Sequence, residues 1–422
     1  MDKITADAYL AILRRELVPA MGCTEPIAVA YAGALARRHL GRLPESIDLT
    51  VSGNIIKNVK SVIVPNTGGR KGLRAAVCAG IVCGDPDREL EVLSAVTQEG
   101  LGELAGYLES VELKLSRSDA ATPFDIRVRV RAGDAEAYVR IAGSHTNVVE
   151  IKEGGRTVFS KPFEDTVSPP SPEYALLNVE DIVSYADSVD ISDVAPMIER
   201  QIEFNTAIAQ QGLSGRYGAA IGATLLEAYG DSVQNRAKAW AAAGSDARMN
   251  GCELPVVINS GSGNQGLTAS LPVVVYAGEL GVSKEKLYRA LVVSNLITIR
   301  LKSGIGSLSA YCGATSAGAG AGAGVAYLHG GGVEEVAHTV VNALAINSGM
   351  VCDGAKSSCA AKIASAVESG LLGFQMYRHK REFLGGDGIV IKGVENTIDA
   401  VSALARDGMK AVDDEILDIM MR

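Results

Sequence analysis

The spacing of apolar residues divides the chain into stretches of different period. Residues 4–40 read as helical: Leu10, Ile12 and Leu13 lead to a break at Val18 and Pro19. Pro26 then stands where the first turn of a helix accepts proline, and 27–38 continue as Ala-rich helix. Cys23, Thr24 and Glu25 therefore lie in the loop or first turn before a helix N-terminus. From 46 to 160 the pattern changes. Residues 47–51, 111–115, 126–130, 137–141 and 148–151 alternate or carry β-branched side chains, as strands do. Gly154 and Gly155 read as a hairpin turn, and 73–83 and 90–103 as helices packed on the sheet. Residues 162–172, with Ser168-Pro169-Pro170-Ser171-Pro172, form the clearest linker. Beyond it the strand signal nearly vanishes, and 178–422 read as helices rich in Ala, Gly, Ser and Leu.

The expected fold is α+β, with a smaller sheet-containing N-terminal domain and a larger all-helical C-terminal domain. Its divisions are N-terminal helices carrying Gly22-Cys23-Thr24-Glu25-Pro26 (1–40), an α+β domain (41–170) and a helical domain (171–422). The N-terminal helix can pack against either part. A length of 422 residues suits two or three domains. Aromatics are only 5 % and glycines number 47, so the core must be closely packed from small and aliphatic side chains.

The formal net charge of −9 disfavours nucleic acid, and Arg37-Arg38-His39 reads as the solvated end of a helix. No signal peptide and no strongly apolar run of membrane-spanning length is evident, so a cytoplasmic location with no membrane partner is the expectation. In a reducing compartment the seven cysteines are poor candidates for disulfides, and metal or catalytic roles gain weight.

Two of them stand in Cys352-Asp353-Gly354-Ala355-Lys356-Ser357-Ser358-Cys359, two helical turns apart if the segment is helical. Cys312 opens the Gly/Ala tract 313–324. Three thiolates can hold a cubane cluster by three irons and leave the fourth open to substrate, whereas a redox ferredoxin shows four clustered cysteines. Spacing alone leaves iron–sulfur, zinc and buried structural cysteines all open. An open iron would stabilise charge on a departing β-hydroxide or hydrosulfide.

Ser260-Gly261-Ser262-Gly263-Asn264-Gln265-Gly266 contains G-x-G-x-x-G, but the continuation reads as helix, not as the strand–helix–strand unit of a dinucleotide site. A glycine-rich turn before a helix N-terminus, holding a small carboxylate through Ser262, Asn264 and Gln265, is the better reading. Two further polar loops can supply substrate hydrogen bonds or merely cap strands: one with Asn54, Lys57, Asn66 and Thr67, the other with His145 and Thr146. His329, His338 and His379 lack metal-ligand spacing, and Cys78, Cys83 and Cys252 read as core. Nothing around Lys356 suggests a pyridoxal pocket.

Gly22-Cys23-Thr24-Glu25-Pro26, Gly53-Asn54-Ile55-Ile56-Lys57-Asn58, Gly143-Ser144-His145-Thr146-Asn147, the 260–266 stretch and Cys352-Asp353-Gly354-Ala355-Lys356 together resemble the L-cysteine desulfidase family. That family is a relative of the iron–sulfur L-serine dehydratases, whose alpha chain it resembles in the C-terminal half. The likeness implies a [4Fe-4S] cluster in the helical domain and non-redox β-elimination of L-cysteine to sulfide, ammonia and pyruvate. It implies Cys312, Cys352 and Cys359 as cluster ligands and Cys23 as the base, acting as thiolate. A helix N-terminus lowers a thiol's pKa, in keeping with that role. Cys23 as a ligand, in place of Cys359 or as a fourth, is the alternative. L-serine or another β-substituted amino acid is the alternative substrate, and a non-enzymatic cluster-binding sensor the alternative class. Homodimerisation is compatible with the sequence and not specified by it.

Overall fold

The computed structural model describes residues 1–165, 172–306 and 309–421. Most of the 162–172 linker thus lies outside the described residues. Strands β1 (Pro19–Met21), β2 (Ser46–Val51), β3 (Glu112–Arg117), β4 (Asp125–Ala132), β5 (Ala135–Ala142), β6 (Val148–Glu153), β7 (Arg156–Ser160) and β8 (Pro255–Val257) form two sheets. The larger has the order β3-β2-β4-β5-β6-β7 and is antiparallel except for the β2–β3 pair. Its strands alternate between buried and half-exposed positions, as a sheet covered on one face must. Val128, Val130, Val139 and Ile141 share a core with the Thr24–Leu40 helix, against which the Gly72–Cys83 helix packs in turn. The opposite face carries cross-strand ion pairs such as Arg131 to Asp48 (2.9 Å) and Arg129 to Glu136 (2.6 Å). The hairpin turns at Gly154 and Gly155, both at positive φ, where glycine escapes the Cβ clash.

The C-terminal part is helical, as expected, apart from β8. Its centre is the Gly313–Leu328 helix, packed between Lys284–Ile305 and Cys359–Arg378. The Gly/Ala tract explains how: a Cβ at Gly318 would lie 2.2 Å from the Ala366 carbonyl oxygen, and one at Gly320 2.2 Å from Thr298 Oγ1. With no Cβ at these positions the central helix approaches both neighbours closely along its length.

The first forty residues are shared between the two cores. Tyr9, Ile12 and Leu13 of the Lys3–Glu16 helix join the helical core, with Tyr9 Oη donating to the Leu176 carbonyl at 2.7 Å. The Thr24–Leu40 helix joins the sheet core, and β1, between them, pairs antiparallel with β8. The last helix, Lys410–Met421, returns to the N-terminal body, where Asp413 pairs with Lys57 at 2.5 Å and Asp414 with Arg117 at 2.9 Å. Two local expectations change. Residues 53–59 form a short helix, Gly53–Val59, because Ile55 and Val59 bury on one side. The 90–103 helix runs Gln98–Ser110, behind a 3-10 turn at Pro86–Glu91. Among the described residues no helix is long and apolar enough to cross a membrane.

The Ile221–Tyr229 helix lacks a side-chain N-cap, because Ala220 occupies that position. Asp246 replaces it: fully buried, it accepts the Gly222 N–H at 3.0 Å. Burial pushes its carboxyl from 3.8 up to about 6, against the pull of the Gly222 and Ile221 N–H groups. A folded-state value above the unfolded one favours the protonated acid. Stability is therefore fullest below pH 3.8 and falls as pH rises to about 6, by on the order of 3 kcal/mol. Asp246→Asn should remove that part of the slope, read as the difference in urea midpoints between the proteins from pH 4 to 7. Parallel pH profiles would show that Asp246 does not titrate in this range.

Candidate active site

Four helices begin at one cavity of about 670 Å³. Cys23 is the N-cap of Thr24–Leu40, Ser262 of Gly263–Leu280 and Cys312 of Gly313–Leu328, while Cys359 is the first residue of Cys359–Arg378. None of these starts has a capping hydrogen bond from its N-cap side chain. Their amide ends leave the cavity at positive potential, suited to thiolates and anionic guests.

Cys23, Cys312, Cys352 and Cys359 all line this cavity. Cys312 and Cys352 face each other across a short antiparallel bridge: Cys312 N–H donates to Met350 O at 2.8 Å and Cys352 N–H to Ala310 O at 2.6 Å. Cys359 packs with Cys23, Val62 and Met249. The Cys352 thiol is held below its ordinary range by Cys312, with Lys57 and the Gly354 N–H assisting against burial. Cys312 is correspondingly held up, by Cys352 and then by burial. Burial also raises Cys359, opposed by Lys356. Lys356 and Lys362 both pair with Asp353 and pin the loop that carries Cys352. Lys302 is buried at the cavity wall, where burial lowers it to about 8 against the pull of Cys352 and Cys312.

These donors fit an iron–sulfur cluster. Among the described residues no three His, Cys, Asp or Glu side chains converge on the position of a single ion. A cubane takes one thiolate per iron, so its ligands stand apart around a cage. Three thiols around one cavity, with lysines nearby, match that requirement.

Cys23 sits at a helix start, as the sequence implies, but its pKa moves opposite to the expectation. Burial, then the Glu25 carboxylate, push the thiol well up, against Arg248. Cys23 Sγ–H donates to Glu25 Oε2 at 3.1 Å, so the resting group is a thiol.

Ser262, Asn264, Gln265, His145 and Thr146 all line the cavity. Gln265 Oε1 and His145 Nε2 are buried without a partner among the described residues. Burial lowers the His145 pKa, favouring the neutral ring. The structure places the other predicted contacts outside the lining. Asn54 and Lys57 lie behind it on the short helix, from which the Lys57 charge acts on Cys352. Asn66 donates to Leu93 O at 2.7 Å, and Thr67 Oγ1 to Val64 O at 2.7 Å, so both close their own loop. That loop acts through Pro65: a Cβ at Gly22 would lie 2.1 Å from Pro65 Cγ, so the loop seats the backbone beside Cys23. Cys78, Cys83 and Cys252 stay away from the cavity, as expected.

Sequence reasoning missed Arg248, Lys302 and any role for Glu25, all of which line the cavity together with Asn58 of the 53–58 motif. A signal for Arg248 was present. It continues the inward register of Ala237, Ala241 and Ser245 at helical spacing, a charged residue on a buried stripe.

A family model described as serine dehydratase alpha chain matches residues 87–418. A UPF0597 protein of Desulfitobacterium hafniense is 55 % identical over 98 % of this chain and 96 % of its own length. UPF0597 proteins of Lachnoclostridium phytofermentans and Treponema denticola are 50 % and 45 % identical, over 97 % and 100 % of this chain and 98 % and 99 % of their own.

Gly354 joins the Cys352 loop to the short helix. It has φ +92°, and a Cβ there would lie 2.1 Å from the Lys57 carbonyl oxygen. Gly354→Ala should cost about 2–4 kcal/mol in chemical denaturation, through strain and displacement of the loop. An unchanged denaturation midpoint would show that the loop does not bear on Lys57.

Proposed function

We propose that this chain, which belongs to the serine dehydratase alpha chain family, is an iron–sulfur lyase that cleaves L-cysteine to sulfide, ammonia and pyruvate. The observation that carries this reading is the gathering of Cys312, Cys352 and Cys359 around one cavity that also contains Cys23. The family is generally iron–sulfur associated. Cys312, Cys352 and Cys359 would hold a [4Fe-4S] cluster. When bound, such a cluster supplies an open iron corner, a Lewis acid for the departing β-sulfur.

The chain's own groups do the rest. Cys23 is the base for the α-proton, and its sulfur is oriented by the bond to Glu25. Arg248 favours its thiolate and Glu25 opposes it, so a positive charge brought to Glu25 would release the base. Lys57, Lys302, Lys356 and Lys362 offset the negative charge of the three ligand thiolates. Ser262, Gln265, His145 and Thr146 supply neutral contacts on the remaining wall.

Dehydration of L-serine, or of another β-substituted amino acid, on the same residues is the second reading, favoured by the family's description. Competing the two substrates by kcat/KM separates them.

Iron and acid-labile sulfide should be measured anaerobically on the wild type and four variants. Cys312→Ala, Cys352→Ala and Cys359→Ala should lose most of the iron. Cys23→Ala should keep it and lose sulfide release by about two to four orders of magnitude. An iron-free wild type with full activity would end the proposal. Iron loss in Cys23→Ala would make that residue a ligand.

A further inference from the structure

Arg248 and Glu25 both line this cavity, and among the described residues neither meets a counter-charge. Arg248 is only 2 % exposed and ends the Val233–Met249 helix. Its Nη1 donates to Asn264 Oδ1 at 3.1 Å, and its Nε has no partner among the described residues. A Cβ at Gly263 would lie 2.3 Å from that Nε, so the glycine leaves the guanidinium its room. Glu25 accepts from Cys23 and Thr24 at 3.1 Å and from Asn58 at 3.4 Å, all neutral donors. Among the described residues neither Arg248 nor Glu25 forms an ion pair, with each other or with any other side chain. Yet both line one cavity, and the charges of both act on Cys23 and His145.

Unpaired charges withdrawn from water are costly unless a guest supplies their opposites. A guest satisfying both at once carries an anion and a cation a few bonds apart. The anionic pole is fixed independently, because Asn264 and the start of the Gly263–Leu280 helix stand beside Arg248. The cationic pole falls at Glu25, next to the Cys23 sulfur. The carbon joining the two poles then lies by Cys23, and its substituent is free to point toward Cys312, Cys352 and Cys359.

We propose that Arg248 and Glu25 are the two charge anchors of an α-amino-acid zwitterion, Arg248 binding the carboxylate and Glu25 the ammonium. The inference rests on the lyase reading for the identity of the site, but it concerns binding and not turnover.

The test measures binding of two matched triads to the anaerobic holoprotein by calorimetry. One is L-cysteine, 3-mercaptopropionate and cysteamine; the other is L-serine, 3-hydroxypropionate and ethanolamine. In the wild type at least one amino acid should bind about thirtyfold or more tighter than either truncated form, as charge-assisted bonds allow. Arg248→Gln should weaken the amino acid and the carboxylate-only compound while leaving the amine-only compound within about threefold. Glu25→Gln should do the reverse. Asn264→Ala, a milder change, should weaken the carboxylate-bearing compounds alone. Equal weakening of all three compounds by Arg248→Gln or Glu25→Gln would overturn the proposal, as would a wild type that binds neither amino acid more tightly than its fragments.

Iron content and sulfide release, measured on the same preparations, separate the two ideas. Preserved discrimination without turnover supports the anchors and sinks the lyase reading. Turnover without discrimination sinks the anchors alone.

Discussion

Four helices start at the same small volume, and none is capped there by its own N-cap side chain. The rest of the site depends on this arrangement. Amide groups at a helix start need acceptors, and water, a side chain or a guest must supply them. Here three of the starts place a cysteine at the mouth. Small residues make the convergence attainable. Gly318, Gly320, Gly322 and Gly370 let the central helices touch backbone to backbone, where larger side chains would hold them apart.

Charge then decides what the volume can accept. Lysines cluster at the thiols, and Asp353, the carboxylate of the Cys352 loop, is already committed to Lys356 and Lys362. Arg248 and Glu25 line the same cavity, each bonded only to neutral groups. A cavity lined by thiols with lysines near them, and by an arginine and a glutamate without ion-pair partners, is asymmetric in chemistry. That asymmetry orients a small guest before any reaction begins.

Much of this architecture is legible in the chain. Alternation in 126–130 and 137–141 gave β4 and β5, and Gly154-Gly155 gave the hairpin, because period and turn chemistry are local properties. Cys23, Cys312, Cys352, Cys359, Ser262, Asn264, Gln265, His145 and Thr146, singled out from their motifs, line one cavity in the fold. The short Gly53–Val59 helix was not legible: seven residues are too few to display a period, and two asparagines resemble a loop. Asn66 and Thr67 look like ligand-binding residues because turn-forming and substrate-binding polar groups are the same residue types. Lys302 and Glu25 escaped because their importance lies in what the distant chain does not provide them, which no local pattern encodes.

The sharing of the first forty residues between both cores follows from where the site lies. Cys23 must reach the cavity from the sheet side, while its neighbours β1 and Lys3–Glu16 are held on the helical side through β8 and Tyr185. The Lys410–Met421 helix closes the same gap from the other end of the chain, with Asp413 on Lys57 and Leu417 against Gly53. The Gly53–Val59 helix is thus wedged between the last helix and the Cys352 loop, and Lys57 meets both through opposite ends: its ammonium on Asp413, its carbonyl against Gly354. Separating the two bodies would pull Lys57 from Asp413 and loosen the seat of Cys352 together. The contact between the bodies is therefore part of the electrostatics of the thiol pair, not a scaffold around it.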